Sequence, residues 1–241
     1  MNIKILFLFG FVFSQDAKEN RNSPLHVLNT IKKQNNVSIN INQFNPKWTE
    51  SLNLLLPCEG INVPKRSARL PNAPRDYRSG THRGIDFFAR WGTEIRAVED
   101  GVIIRSDLNY KEVPADFRKN LLHVSSKVGH TPSDIFNSIL LGKAVFIDHG
   151  LNLVRGFRVI TIYAHMSYIE KKLIPGTTIK RGEKIGLSGN TGTKDSTLGS
   201  KSGAHLHWEF ILQRNNKEIY LGEGMESDSL YKMLSTIFVN R

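Results

Sequence analysis

Eight histidines are spread along the 241-residue chain, and four of them fall in suggestive company. His82 and Asp86 stand four apart in THRGIDF, His165 lies in IYAHM, and His205 and His207 alternate in GAHLHWEF. The run HLHWEFIL has the apolar and aromatic residues of a strand, where side chains two apart share a face about 7 Å from one another. Both imidazoles would then lie on one face, with Leu206 and Trp208 on the other. Such a pair can be a metal ligand beside an acid/base group, or two solvated histidines on an exposed strand. The spacing of His82 and Asp86 puts them on one face of a helix or a strand, and Gly84 between them disfavours the helix. An imidazole with a carboxylate suits zinc. One more histidine gives a His2Asp set with a fourth position open to water, the form of a catalytic zinc site. Either pair alone arises often by chance.

Short β-type runs separated by Gly-containing turns must hold these residues: 92–98, 102–106, 144–148, 158–163, 177–187 and 205–212. Strands at this spacing predict a mainly β fold, a compact antiparallel β-sheet domain. The stretch 108–142 breaks the rhythm, with helical patterns at 117–124 and 133–141, and reads as a helical insertion of the kind that often forms a lid. Leu230, Met233, Leu234, Ile237 and Phe238 recur at helical spacing and predict a C-terminal helix over 228–239, capped by Ser227 or Asp228. Residues 15–68 form a partly helical N-terminal arm or linker. It has helical patches after Pro24 and over 48–56, then a Pro- and Arg-rich, mostly irregular approach over 57–80. The main domain is expected over 69–241.

Residues 1–14, MNIKILFLFGFVFS, carry a lysine before an apolar run too short to span a bilayer, which needs about 20 residues. They predict a cleaved signal peptide, with the mature chain starting near Gln15. The expected location is periplasmic or extracellular, at the cell wall. No cysteine follows the apolar run closely, so no lipid anchor is expected to hold the chain at the membrane after cleavage. The single cysteine, Cys58, excludes an intramolecular disulfide and a cysteine-built metal site, and is expected to be buried and inert. The net charge of +11 favours an anionic partner such as a bacterial wall. Nucleic acid is not expected, because no Lys/Arg run is interleaved with aromatics.

The order HxxxD, YAHM, SGNTG and HLHWE resembles that of the lysostaphin-type (LytM-domain) zinc metallopeptidases of the β-lytic family. HRGIDFFARWGTEIRAVEDGVI, KAVFIDHG with TIYAHMSYI, and PGTTIKRGEKIGLSGNTG are similar to successive family strands. The resemblance covers about 69–212 apart from the insertion. It implies a LytM-type duplicated hybrid motif with a groove, and one zinc ion held by His82, Asp86 and His207. His165 and His205 match the two non-ligand histidines that flank the metal-bound water. Either could act as general base. The implied substrates are peptides of bacterial peptidoglycan, cut by a zinc endopeptidase.

The chain departs from the family pattern in two places. The stretch 192–205 is longer, with Ala204 where proline is common, and 108–142 is an addition. Glu209 is expected to be structural, as is His149, and His123 and His130 are expected to be solvated. The alternative function is a non-catalytic LytM-type wall-binding regulator. Members of that class have usually lost zinc ligands, and none is lost here. A wall carboxypeptidase or amidase, and a peptidase acting on other proteins, share the same ligand chemistry.

Overall fold

A computed structural model describes residues 43–239. The signal peptide, the helical patch after Pro24 and His26 lie outside the described residues. In chain order the strands before the insertion are β1 (Leu54–Leu55), β2 (Pro74–Arg75), β3 (Gly80–Thr81), β4 (Ile85–Phe87), β5 (Glu94–Arg96) and β6 (Gly101–Ser106). Helix α1 (Ala115–Val128), the short α2 (Ser133–Ile135) and a π-helical turn, Phe136–Leu140, follow. Then come β7 (Val145–Val154), β8 (Phe157–Ala164), β9 (Met166–Ile169), β10 (Thr178–Ile179), β11 (Lys184–Ser188), the short helix α3 (Lys194–Thr197), β12 (Leu206–Arg214) and β13 (Lys217–Tyr220). Helix α4 (Ser227–Ile237) and β14 (Phe238–Val239) close the chain.

The main sheet has seven strands in the order β10-β6-β7-β8-β12-β13, with β4 beside the start of β12. Its pairs are all antiparallel. A second sheet, β5-β11-β9, is also antiparallel. Period-2 alternation separates the faces of the central strands. Phe157, Val159 and Tyr163 on β8, with Leu206, Trp208, Phe210 and Leu212 on β12, enter the main core. Ile160, Ile162 and Ala164 on β8, and Ile211 on β12, point to the opposite face. His207 and Glu209 share that opposite face.

The insertion covers part of this second face. Phe136, Leu140 and Leu141 join Ile160, Ile162, Ala164 and Ile211 in a separate buried cluster, so the sheet is apolar on both sides. Helix α1 rests on the turn Asp76–Arg78 and on α3. The end of the sheet near His207 is left open.

Helical structure in the expected 48–56 patch is confined to a 3-10 turn, Pro46–Thr49. Beyond it Leu52, Leu54, Leu55 and Leu56 are all buried, and β1 pairs in parallel with β14. Near-consecutive burial of that kind suits a core strand, not a one-sided helix. Phe44, Leu52, Leu54, Leu56, Cys58 and Val63 join the main core, so the described part of the arm is clasped to the domain. Helix α4 ends at Ile237 because Phe238 turns extended to pair with β1. Its N-cap is Glu226, which makes no side-chain capping bond, in place of Ser227 or Asp228. No helix among the described residues is long and apolar enough to cross a membrane.

Candidate metal centre and groove

Strand pairing brings the sequence motifs together. His207 stands opposite Asp86 in the β4–β12 register and opposite Ala164 in the β8–β12 register. His82 reaches the same point because the backbone at Gly84 passes close to β12. A Cβ there would stand 2.4 Å from the Trp208 carbonyl oxygen and 3.0 Å from the His207 ring. His82 Nε2, His207 Nδ1 and Asp86 Oδ1 form a small triangle. The nitrogens are 3.0 Å apart, and each is 2.9 Å from the carboxylate oxygen. His82 and His207 are buried and His205 is only partly exposed, so the reading of His205 and His207 as two solvated histidines on an exposed strand fails.

The outer nitrogens define what the inner ones can do. His82 Nδ1 donates to the Leu70 carbonyl at 2.8 Å, and His207 Nε2 donates to Glu209 Oε1 at 2.9 Å. In the neutral rings, His82 Nε2 and His207 Nδ1 therefore turn lone pairs toward each other and toward a carboxylate oxygen. Three converging lone pairs about 3 Å apart repel unless a cation lies among them. A tetrahedral ion with bonds of about 2.0–2.1 Å gives ligand–ligand edges of about 3.3 Å, close to those found here. This donor set fits a divalent metal of the zinc type.

The electrostatics follow from the same contacts. Burial would raise the Asp86 carboxyl, but the His82 and His207 imidazoles hold it well below the usual carboxylate range. Burial would lower His207, yet its hydrogen bonds to Asp86 and Glu209 push it up to about 9, so the centre draws positive charge.

His165 and His205 stand beside this triangle, with their ring centroids 4.8 Å apart. His165 lies 5.7 Å from His207 by the same measure. His165 Nδ1 donates to the Thr191 carbonyl and His205 Nδ1 to that of Gly203, each at 2.7 Å, which leaves both Nε2 atoms available. His205 Nε2 is 3.7 Å from Asp86 Oδ1. Burial lowers both pKa values, and the neighbouring histidines lower His165 further. His165 holds a left-handed backbone with φ of 60°, a costly conformation for a residue with a Cβ. It is held there by its N–H to Leu141 O at 2.9 Å and by its ring bond to Thr191.

Several supporting residues carried no sequence signal of their own. Glu209 is fully buried, orients His207 and pairs with Arg83 at 3.0 Å. The motif's alternation does place it on the His207 face. Arg75 reaches Asp86 Oδ2 at 3.1 Å, leaving Oδ1 to the triangle. Phe136 of the insertion has the guanidinium carbons of Arg78 and Arg83 each 4.7 Å from its ring centroid. His149 is buried between Asp100 O and Thr161 Oγ1, away from the triangle, while His123 and His130 are exposed.

All five site histidine and aspartate side chains open into one groove of about 490 Å³. The insertion contributes Arg118, Leu122, Phe136 and Leu140 to its wall.

The profile of peptidase family M23 matches residues 80–220, more than half of the chain. The chain belongs to peptidase family M23. A metalloprotease of Haemophilus influenzae is 31% identical over 132 residues, covering 54% of this chain and 18% of that protein. The Vibrio cholerae peptidoglycan DD-endopeptidase ShyA is 29% identical over 140 residues, covering 58% of this chain and 22% of that one. The chain thus aligns with only about a fifth of these curated relatives. Among solved structures, the catalytic domain of the antimicrobial peptidase lysostaphin from Staphylococcus simulans is 18% identical, with a TM-score of 0.35. It covers 72% of this chain and 91% of that one. His82, Asp86, His165, His205 and His207 all lie within the matched span.

Proposed function

We propose that this M23 chain is an exported zinc endopeptidase that hydrolyses peptide bonds in bacterial peptidoglycan. The observation that carries the reading is the triangle of inward-turned donors, His82 Nε2, Asp86 Oδ1 and His207 Nδ1, at the floor of an open groove. The substrate class is supported by relatives named for peptidoglycan DD-endopeptidase activity, and export by the apolar leader at 1–14. The complete donor set gives the non-catalytic regulator no support.

Zinc, when bound, supplies Lewis acidity to a scissile carbonyl and to water. His165 and His205 handle protons. Both are neutral near pH 7, with Nδ1–H tied to a carbonyl and Nε2 free to accept. One Nε2 takes the proton of the attacking water, and that imidazolium returns it to the leaving amine. The second ring, neutral with its Nε2 bare, can accept a hydrogen bond from the attacking water and hold it in line with the carbonyl. Glu209 and Arg75 act at one remove, keeping His207 and Asp86 in place.

Zinc content and peptide hydrolysis, measured on the same samples, test the assignment. His82→Ala and His207→Ala are expected to lose both together, and His165→Ala to lose hydrolysis with zinc retained. A His165→Ala protein without zinc would overturn the ligand set.

A further inference from the structure

We propose that the insertion and the Asp76–Arg78 turn together build a subsite for a peptide carboxylate in the groove, seated between Arg78 and Arg118. The inference rests on the peptidoglycan reading and narrows it. The favoured substrate is a stem peptide with free carboxylates, not an uncharged glycine bridge.

Arg78 and Arg118 both line the groove, and they are only 7% and 9% exposed. Among the described residues neither makes an ion pair. Arg78 Nη2 donates to Thr81 O at 2.6 Å, its guanidinium lies against Phe136 and it also hydrogen-bonds the neutral Tyr77 side chain, while Arg118 Nε donates to Gly192 O at 3.0 Å. The other arginines nearby are committed, Arg75 to Asp86 and Arg83 to Glu209. Glu112 lies near Arg118, but its oxygens already accept from Gly192 N, Ser196 Oγ and Tyr110 Oη. Lys194 and Asp195 add one charge of each sign to the lining.

Glu112 and Glu209 compensate the two guanidiniums only at a distance, and burying a guanidinium without a carboxylate in direct contact is unfavourable. Burial pushes both pKa values below the ordinary arginine value, although arginine stays charged. An anion between them would relieve that cost. The planar forks suit a carboxylate, and the apolar Leu122, Phe136 and Leu140 beside them exclude water and strengthen the contact. Contact of α1 with the Asp76–Arg78 turn brings Arg118 of the insertion and Arg78 of the turn into the groove that holds the metal centre.

The test uses the full zinc-loaded chain and two synthetic probes. One is a cross-linked stem-peptide dimer with free carboxylates, and the other is the same dimer with those carboxylates amidated. Calorimetry gives binding, and chromatography gives hydrolysis. The free acid is expected to bind about tenfold tighter or more. That ratio should shrink with added salt. It should fall to about one in Arg118→Gln and be partly kept in Arg118→Lys. Equal binding of the two probes by the wild-type protein overturns the subsite, whether or not the variants fold. Equal hydrolysis of both probes would also remove the subsite while leaving the endopeptidase standing. Carboxylate-selective binding without hydrolysis would keep the subsite and remove the enzyme reading.

Discussion

Each of the four site histidines has one ring nitrogen tied to an oxygen: Leu70 O, Thr191 O, Gly203 O and Glu209 Oε1. Those bonds fix tautomer and ring angle before any ligand arrives. Three partners are backbone carbonyls that mutation cannot remove, so Glu209 is the informative one. Glu209→Gln should weaken metal affinity by about 10–100-fold while leaving the chain folded, as read by competition against a chelating dye. An unchanged affinity would mean that strand geometry alone aims His207. Cys58, buried in the core, gives a second residue-scale test. Burial raises its thiol from 9.0 to about 12. The stability this group contributes is therefore fully present below pH 9 and lost as pH rises toward 12. Over that window the wild type should lose stability relative to Cys58→Ala, by at most about 1.4 kcal/mol per pH unit, in denaturant melts at stepped pH. The His and Asp of the centre were legible because their chemistry is written in type and spacing. Arg75 and Arg118 were not, since nothing local links an arginine to a site that only tertiary packing brings near it.

At the scale of elements, the centre depends on β4 and β12 lying close enough for His82, Asp86 and His207 to meet. Gly84 makes that approach possible. Gly84→Ala would set a Cβ 2.4 Å from the Trp208 carbonyl oxygen, so β4 must shift. We expect a loss of about 1–3 kcal/mol in stability together with weakened metal binding, checked by thermal melts with and without zinc. Phe136 ties the insertion to the sheet and to Arg78 and Arg83. Phe136→Ala should cost about 3 kcal/mol. The long central strands β6, β7, β8 and β12 and the helices α1 and α4 were readable from β-type runs, helical spacing and turn residues, whereas short strands such as β1, β2, β3 and β13 were not. The segment 177–187 resolves into β10 and β11 around a turn at Gly182, whose φ of 79° favours glycine. The 48–56 patch misled because Leu54 and Leu55 pair with β14, almost the whole chain away in sequence, and Leu52, Leu54 and Leu56 enter the main core. A local pattern cannot report a partner at that distance.

At the scale of the whole molecule, the two ends of the described chain close the domain, with β1 against β14. Phe44, Leu52, Leu54, Leu56, Cys58 and Val63 are all buried in the main core. At about 1.5–3 kcal/mol for each large side chain, their loss rivals the roughly 5–15 kcal/mol that holds a domain together. A chain beginning at residue 64 should therefore show no cooperative melt, so the arm cannot be trimmed to there in order to open the groove. In the proposed function, a metal held by His82, Asp86 and His207 drives hydrolysis of wall peptides. It is tested most directly by digesting purified cross-linked peptidoglycan with the zinc-loaded protein and analysing the released fragments by mass spectrometry. New amino termini are expected within the peptides, abolished by chelation and restored by zinc. Fragments that persist after the metal is stripped, or intact peptides after incubation with folded zinc-loaded protein, would contradict it.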